Sequence, residues 1–156
     1  MQCILKIPFV DLAAQNAPIK DELLAAVNNV LESGQFIHGN EVRELERSFA
    51  DLCGVKYAIG VNSGTDALIM ALRALEIGKG NEVITVANSY ITTASSIVCV
   101  GATPVFVDVN DGYNMDPAQL EKMITKRTKA VIPVHLTGKP ADMTAVCKIA
   151  KKHNLY

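Results

Sequence analysis

Val61-Asn62-Ser63-Gly64-Thr65-Asp66-Ala67-Leu68 stands between a β-like run, residues 57–61, and a helical pattern carried by Leu68, Ile69, Ala71, Leu72 and Leu75. The order is strand, tight turn, helix start. A helix begins with backbone N–H groups that lack intrahelical acceptors and with the positive end of its dipole. Gly64 lets an anion approach that point, and the hydroxyls of Ser63 and Thr65 can add hydrogen bonds, so a phosphate suits the turn. An ordinary helix cap, with Ser63 or Thr65 accepting from the first turn, suits it equally well. The octapeptide alone leaves the two readings even.

Outward from this turn the chain divides by pattern. From residue 55 on, short apolar runs at 57–61, 82–86, 103–107 and 130–135 alternate with helical stretches at 65–75, 92–100, 117–125 and 141–153. Such alternation predicts an α/β layer fold with a mostly parallel sheet and helices on both faces. Ligands of such sheets sit at the carboxyl ends of the strands. Here those ends are residues 63–65, 87–90, 108–113 and 135–139. Residues 1–54 read instead as a helical lead-in of two amphipathic helices. The first, at 18–32, carries Ile19, Leu23, Val27, Val30 and Leu31 and stops at Gly34. The second starts from Asn40 as its N-cap, runs Val42, Leu45, Phe49 and Leu52 along one stripe, and stops at Gly54. Both should lie on something larger. Residues 151–156 end a helix and begin another strand, so the chain reads as the amino-terminal part of a longer domain.

Composition narrows the function. The 156 residues are 49% hydrophobic, enough to bury a core, and 15 basic against 16 acidic residues leave a net charge of -1. No Lys/Arg run makes a nucleic-acid or anionic-lipid patch. Cys3, Cys53, Cys99 and Cys147 are far apart and lie mostly in apolar runs, which reads as reduced, structural and cytoplasmic. With His38, His135 and His153 also scattered, no metal site is expected. The amino terminus lacks the pattern of a secretory signal. Residues 83–107 carry no charge, but Asn88, Ser89, Thr92, Thr93, Ser95 and Ser96 and the later Pro104 break them into strand, turn, helix and strand, not a membrane helix. Near Ser63 neither a Walker lysine nor GxGxxG is present, which disfavours nucleotide sites of those types.

Several segments in order resemble the DegT/DnrJ/EryC1/StrS sugar aminotransferases, fold type I enzymes dependent on pyridoxal 5'-phosphate (PLP). They are Pro8-Phe9-Val10-Asp11-Leu12, Phe36-Ile37-His38-Gly39-Asn40-Glu41-Val42, Asn62-Ser63-Gly64-Thr65-Asp66-Ala67-Leu68, Glu82-Val83-Ile84, Ser89-Tyr90, Pro104-Val105-Phe106-Val107-Asp108 and Pro133-Val134-His135-Leu136-Thr137-Gly138. The resemblance implies that Ser63, Gly64 and Thr65 hold the PLP phosphate and that Tyr90 stacks on the pyridine ring. It implies a loop near the substrate at 36–39. Val86-Ala87 and Thr137 depart from the VPxxT and HLYG of relatives, around the substrate side of the site. The Schiff-base lysine and the acid facing the pyridine nitrogen, which such chemistry requires, have no match in this chain. Lys139 reads as a loop charge. The implied reaction moves an amino group from an amino acid, glutamate, to a keto group of a nucleotide-linked sugar, in a cytoplasmic homodimer. A sugar dehydratase of the same family, or an inactive fragment or partner subunit, are the alternatives.

Overall fold

The computed structural model describes residues 7–156, so Cys3 and most of the amino-terminal run lie outside the described residues. The chain forms two compact units, one ending at Gly60 and one running from Val61 to Tyr156.

The first unit is helical. Helix α1, Leu12–Asn16, is capped by Asp11, whose carboxylate accepts from the Ala14 N–H at 2.9 Å. A 3-10 turn at Ala17–Ile19 then leads into α2, Lys20–Ser33. The single helix expected at 18–32 is thus divided. Pro18 has no N–H to give to an α ladder, and the chain tightens there before α2 begins. Helix α3 is Asn40–Cys53, and its cap position is Gly39, where Asn40 was expected. Gly39 approaches its neighbours too closely for any other residue, since an added Cβ would lie 2.7 Å from the Gln35 carbonyl oxygen. Asn40 instead accepts from Arg43 Nη1 within the first turn, at 3.0 Å. Gly34 and Gly54 end α2 and α3 with φ of 65° and 64°, left-handed stops that favour glycine.

The expected strand at 57–61 does not form. Its backbone has no ladder partner among the described residues, and the Gly60 N–H donates to Glu46 Oε1 at 2.7 Å. Tyr57 and Ile59 are 70% and 80% exposed. The alternation is real, but a strand exists only where a second strand pairs with it, and that partner is not a local property.

The second unit contains a three-stranded parallel sheet in the order β2-β1-β3: β1 Glu82–Val86, β2 Thr103–Val107 and β3 Thr128–Val131. β1 and β2 pair in register from Glu82 with Thr103 to Val86 with Val107. β3 starts earlier and stops earlier than the expected 130–135. Beyond it the chain stays bonded to β1 through the Ile132 N–H to the Ile84 carbonyl, and the Thr85 hydroxyl donates to the Ile132 carbonyl. Tyr156 exchanges two backbone bonds with Lys129 and Val131, the parallel pattern of a further strand on the β3 edge.

All five residues of β1 are buried, because the central strand is covered on both faces. On one face Val83 packs with Leu72 of α4, Gly64–Ala74, and Ile97 of α5, Thr92–Cys99. On the other, Ile84 and Val86 pack with Leu120 of α6, Pro117–Leu120, and Val146 of α7, Met143–Lys152. Two helices are shorter than expected. α6 gives way to a 3-10 turn at Glu121–Met123, and α7 starts two residues late because Asp142 caps it, its carboxylate accepting from the Ala145 N–H at 2.9 Å. Cys53, Cys99 and Cys147 are exposed free thiols.

Candidate functional site

Connectivity brings two of the segments that carry candidate residues to one edge. α4 feeds β1 and therefore runs antiparallel to it, so its first residues lie at the carboxyl end of the strand. Tyr90 follows β1 directly and leads into α5, which packs on α4.

At the start of α4 the cap reading of the octapeptide is realised, and free donors remain beside the cap. Ser63 is the cap: its Oγ accepts from the Asp66 N–H at 3.1 Å and donates to Asp66 Oδ2 at 3.2 Å. The cap leaves the N–H groups of Gly64 and Thr65 without an acceptor among the described residues, and the half-buried Thr65 hydroxyl makes no hydrogen bond there either. Gly64 is helical, so its backbone does not demand glycine, and a Cβ added to it would meet nothing within 4 Å. Two orphan donors, a free hydroxyl and open space above a glycine make a small cradle of hydrogen-bond donors at the positive end of the helix dipole. Tyr90 is 74% exposed, its ring free for a planar partner.

The other candidates are elsewhere. The 36–39 loop belongs to the first unit and lines a recess of about 550 Å³ with Gln35, Asn40 and Arg43, His38 taking a left-handed φ of 49°. Lys139 folds over Gly112, its Nζ 3.0 Å from where a Cβ on that glycine would sit, as befits a loop charge. Among the described residues no three His, Cys, Asp or Glu side chains group as metal ligands, and no helix is long and apolar enough to cross a membrane.

The two carboxyl groups with lowered pKa values lie elsewhere. Glu82 is held below its ordinary value of 4.5 by the Thr125 hydroxyl and then by Arg127. Glu121 is lowered to about 2, first by its hydrogen bond with His153 and then by Lys152. Both belong to the opposite, amino-terminal edge, where β1 and β3 begin, and they fasten elements together. The Asn114 and His135 contacts described below also escaped the sequence reading. They join residues 25 and 6 apart in irregular segments, and no periodicity encodes them.

A parallel α/β sheet with unpaired N–H donors at one helix start and an exposed aromatic beyond the next strand belongs to the class of folds that take their ligands at the carboxyl ends of the strands. The chain belongs to the DegT/DnrJ/EryC1/StrS aminotransferase family, whose profile matches residues 17–156. It is 53% identical over 150 residues to the UDP-N-acetyl-3-dehydro-alpha-D-glucosamine 3-aminotransferase of Acidithiobacillus ferrooxidans, covering 96% of this chain and 41% of that protein. It superposes on DesV of S. venezuelae with a TM-score of 0.93 at 45% identity, covering 97% of this chain and 41% of DesV. It superposes on NtdA of Bacillus subtilis, solved with bound cofactor PMP, with a TM-score of 0.91 at 34% identity, covering 99% of this chain and 36% of NtdA. The chain therefore spans about two fifths of the length of the relatives it matches.

Proposed function

We propose that these residues are the amino-terminal part of the PLP-binding large domain of an aminotransferase that acts on the keto group of a nucleotide-linked sugar. In this reading the Gly64 and Thr65 N–H groups and the Thr65 hydroxyl bind the cofactor phosphate, Ser63 holds the turn that presents them, and the Tyr90 ring lies against the pyridine. The observation that carries it is the cradle at the start of α4, whose donors nothing else among the described residues uses. The printed activity of the Acidithiobacillus relative and the PMP held by NtdA support it. Bound PLP supplies an electron sink for breaking a bond to the carbon that bears the transferred nitrogen. This chain contributes binding and orientation to that chemistry, and no proton-transferring residue is assigned within it. A glutamate donor, a homodimer and a cytoplasmic location complete the proposal.

The test separates cap from cradle. In a protein joining these residues to the region that the relatives have in addition, Thr65→Ala is expected to weaken PLP by one charge-assisted hydrogen bond, about 1.5 to 3 kcal/mol. That is roughly a ten- to hundredfold rise in the dissociation constant, read from cofactor absorbance. Ser63→Ala is expected to cost about 1 kcal/mol of folding stability, because it removes a cap. Unchanged PLP affinity in Thr65→Ala would refute the cradle. The 156-residue chain alone is expected to give no amino transfer from glutamate to a UDP-linked keto-sugar, and measurable turnover by it would overturn the assignment of catalysis to other residues.

A further inference from the structure

The segment that follows β3 turns back at residues 136–140 toward α7, and its return leg is held by side chains. Pro140 has no N–H to give. Ala141, only 4% exposed, directs its N–H at His135 Nδ1, 2.9 Å away. The carbonyls of Lys139 and Pro140 both accept from Asn114 Nδ2, at 3.1 and 3.2 Å, and Asn114 is itself 4% exposed. Buried backbone groups need partners. Here the partners come from an asparagine in the β2–α6 connection and from an imidazole in the segment that follows β3.

The two differ in one respect. The asparagine amide does not titrate, whereas the His135 ring is exposed and can take a proton. An imidazole accepts at Nδ1 only while that nitrogen is unprotonated, so the neutral ring carries its hydrogen on Nε2. Protonation of Nδ1 would set two N–H donors against each other and leave the Ala141 N–H orphaned. The charged groups on the adjoining segments are Lys139 in the turn, Asp142 at the start of α7, and Asp108, Asp111 and Asp116 in the β2–α6 connection.

We propose that His135 is a positioning residue: its neutral ring pins the return leg of the turn 136–140 at Ala141, and its protonation frees that N–H and loosens the turn around Thr137 and Lys139, leaving Asn114 as the remaining hold. That this turn faces cofactor and substrate rests on the proposed function. Acidification then loosens the substrate side of the site while the cradle at Ser63–Thr65, on another element, is unaffected.

The experiment is amide hydrogen exchange of Ala141 in the full chain, followed by NMR and corrected for intrinsic exchange, between about pH 8 and about pH 5. Protection is expected to fall about five- to tenfold on acidification, the worth of one hydrogen bond. His135→Asn, which keeps an acceptor near the Nδ1 position but cannot titrate, is expected to retain protection at every pH. His135→Phe, which keeps the ring but no acceptor, is expected to lose it at every pH. Protection independent of pH in the unmodified chain, or a pH response that persists in His135→Asn, overturns the proposal. The readout is the Ala141 N–H bond itself, so its failure leaves the phosphate-cradle reading standing, and loss of the cradle reading leaves the pin intact.

Discussion

Arg127→Ala is expected to destabilise the second unit by about 2 kcal/mol, more than any other single change outside the apolar core considered above. Glu82 opens β1 with its side chain only 7% exposed, and Arg127 meets it through Nε at 2.9 Å and through Nη2, with the Thr125 hydroxyl as a third donor. The Glu82 N–H returns a bond to the Arg127 carbonyl at 2.8 Å, so the pair also fixes how β3 enters beside β1. Removing the guanidinium strands a buried carboxylate, a loss of about 3 to 5 kcal/mol when both partners are fully buried. Arg127 is 66% exposed and Thr125 remains, which reduces the figure. Urea unfolding of a dilute sample, followed by circular dichroism, measures it, and an unchanged midpoint would refute the role.

The pH dependence follows with a definite sign. The folded pKa of Glu82 lies below its ordinary 4.5, chiefly through the Thr125 hydroxyl and then Arg127. The stability linked to it is therefore complete above about pH 4.5 and is lost as pH falls from there through the folded value. Arg127→Ala should flatten that acid slope. Because the pair sits at the amino-terminal edge, PLP affinity in a complete protein should change little, which distinguishes this variant from Thr65→Ala.

What was legible in the sequence is what local chemistry determines. The bounds of β1 and β2 are as read, because each is a short, mostly apolar run that follows polar or glycine neighbours, Gly80-Asn81 before one and Gly101 before the other. The start of α4 was legible as cap or cradle, and only the structure divides the roles, giving the cap to Ser63 and the open donors to Gly64 and Thr65. Tyr57 to Val61 shows the limit: its alternation is that of a strand, but ladder pairing depends on residues far away in sequence. His135 and Asn114 show it again. Their importance comes from which backbone groups lie beside them, and it is written in no spacing.

The helices of the first unit lead to the second large expectation: the purified chain should self-associate and bind hydrophobic dyes. α2 and α3 are amphipathic, yet α2 buries no residue and α3 buries only Ala50. Their apolar stripes are open, with Leu23, Val27 and Leu31 on α2 at 47 to 61% exposure and Leu45, Phe49 and Leu52 on α3 at 54 to 81%. Contiguous apolar surface of this kind marks a surface meant to be covered. A net charge of -1 gives little repulsion between copies. Full burial of a Leu or Phe contributes about 1.5 to 3 kcal/mol, and the three on α3 have more than half of that still to gain, about 1 kcal/mol each. Replacing Leu45, Phe49 and Leu52 together by alanine should therefore weaken association by about 3 kcal/mol, roughly a hundredfold in the association constant. The variant leaves the second unit untouched, so its two core clusters should unfold as before. Sedimentation velocity over a concentration series, with dye fluorescence on the same samples, decides it: a dye-silent monomer at high concentration would mean that these stripes need no cover.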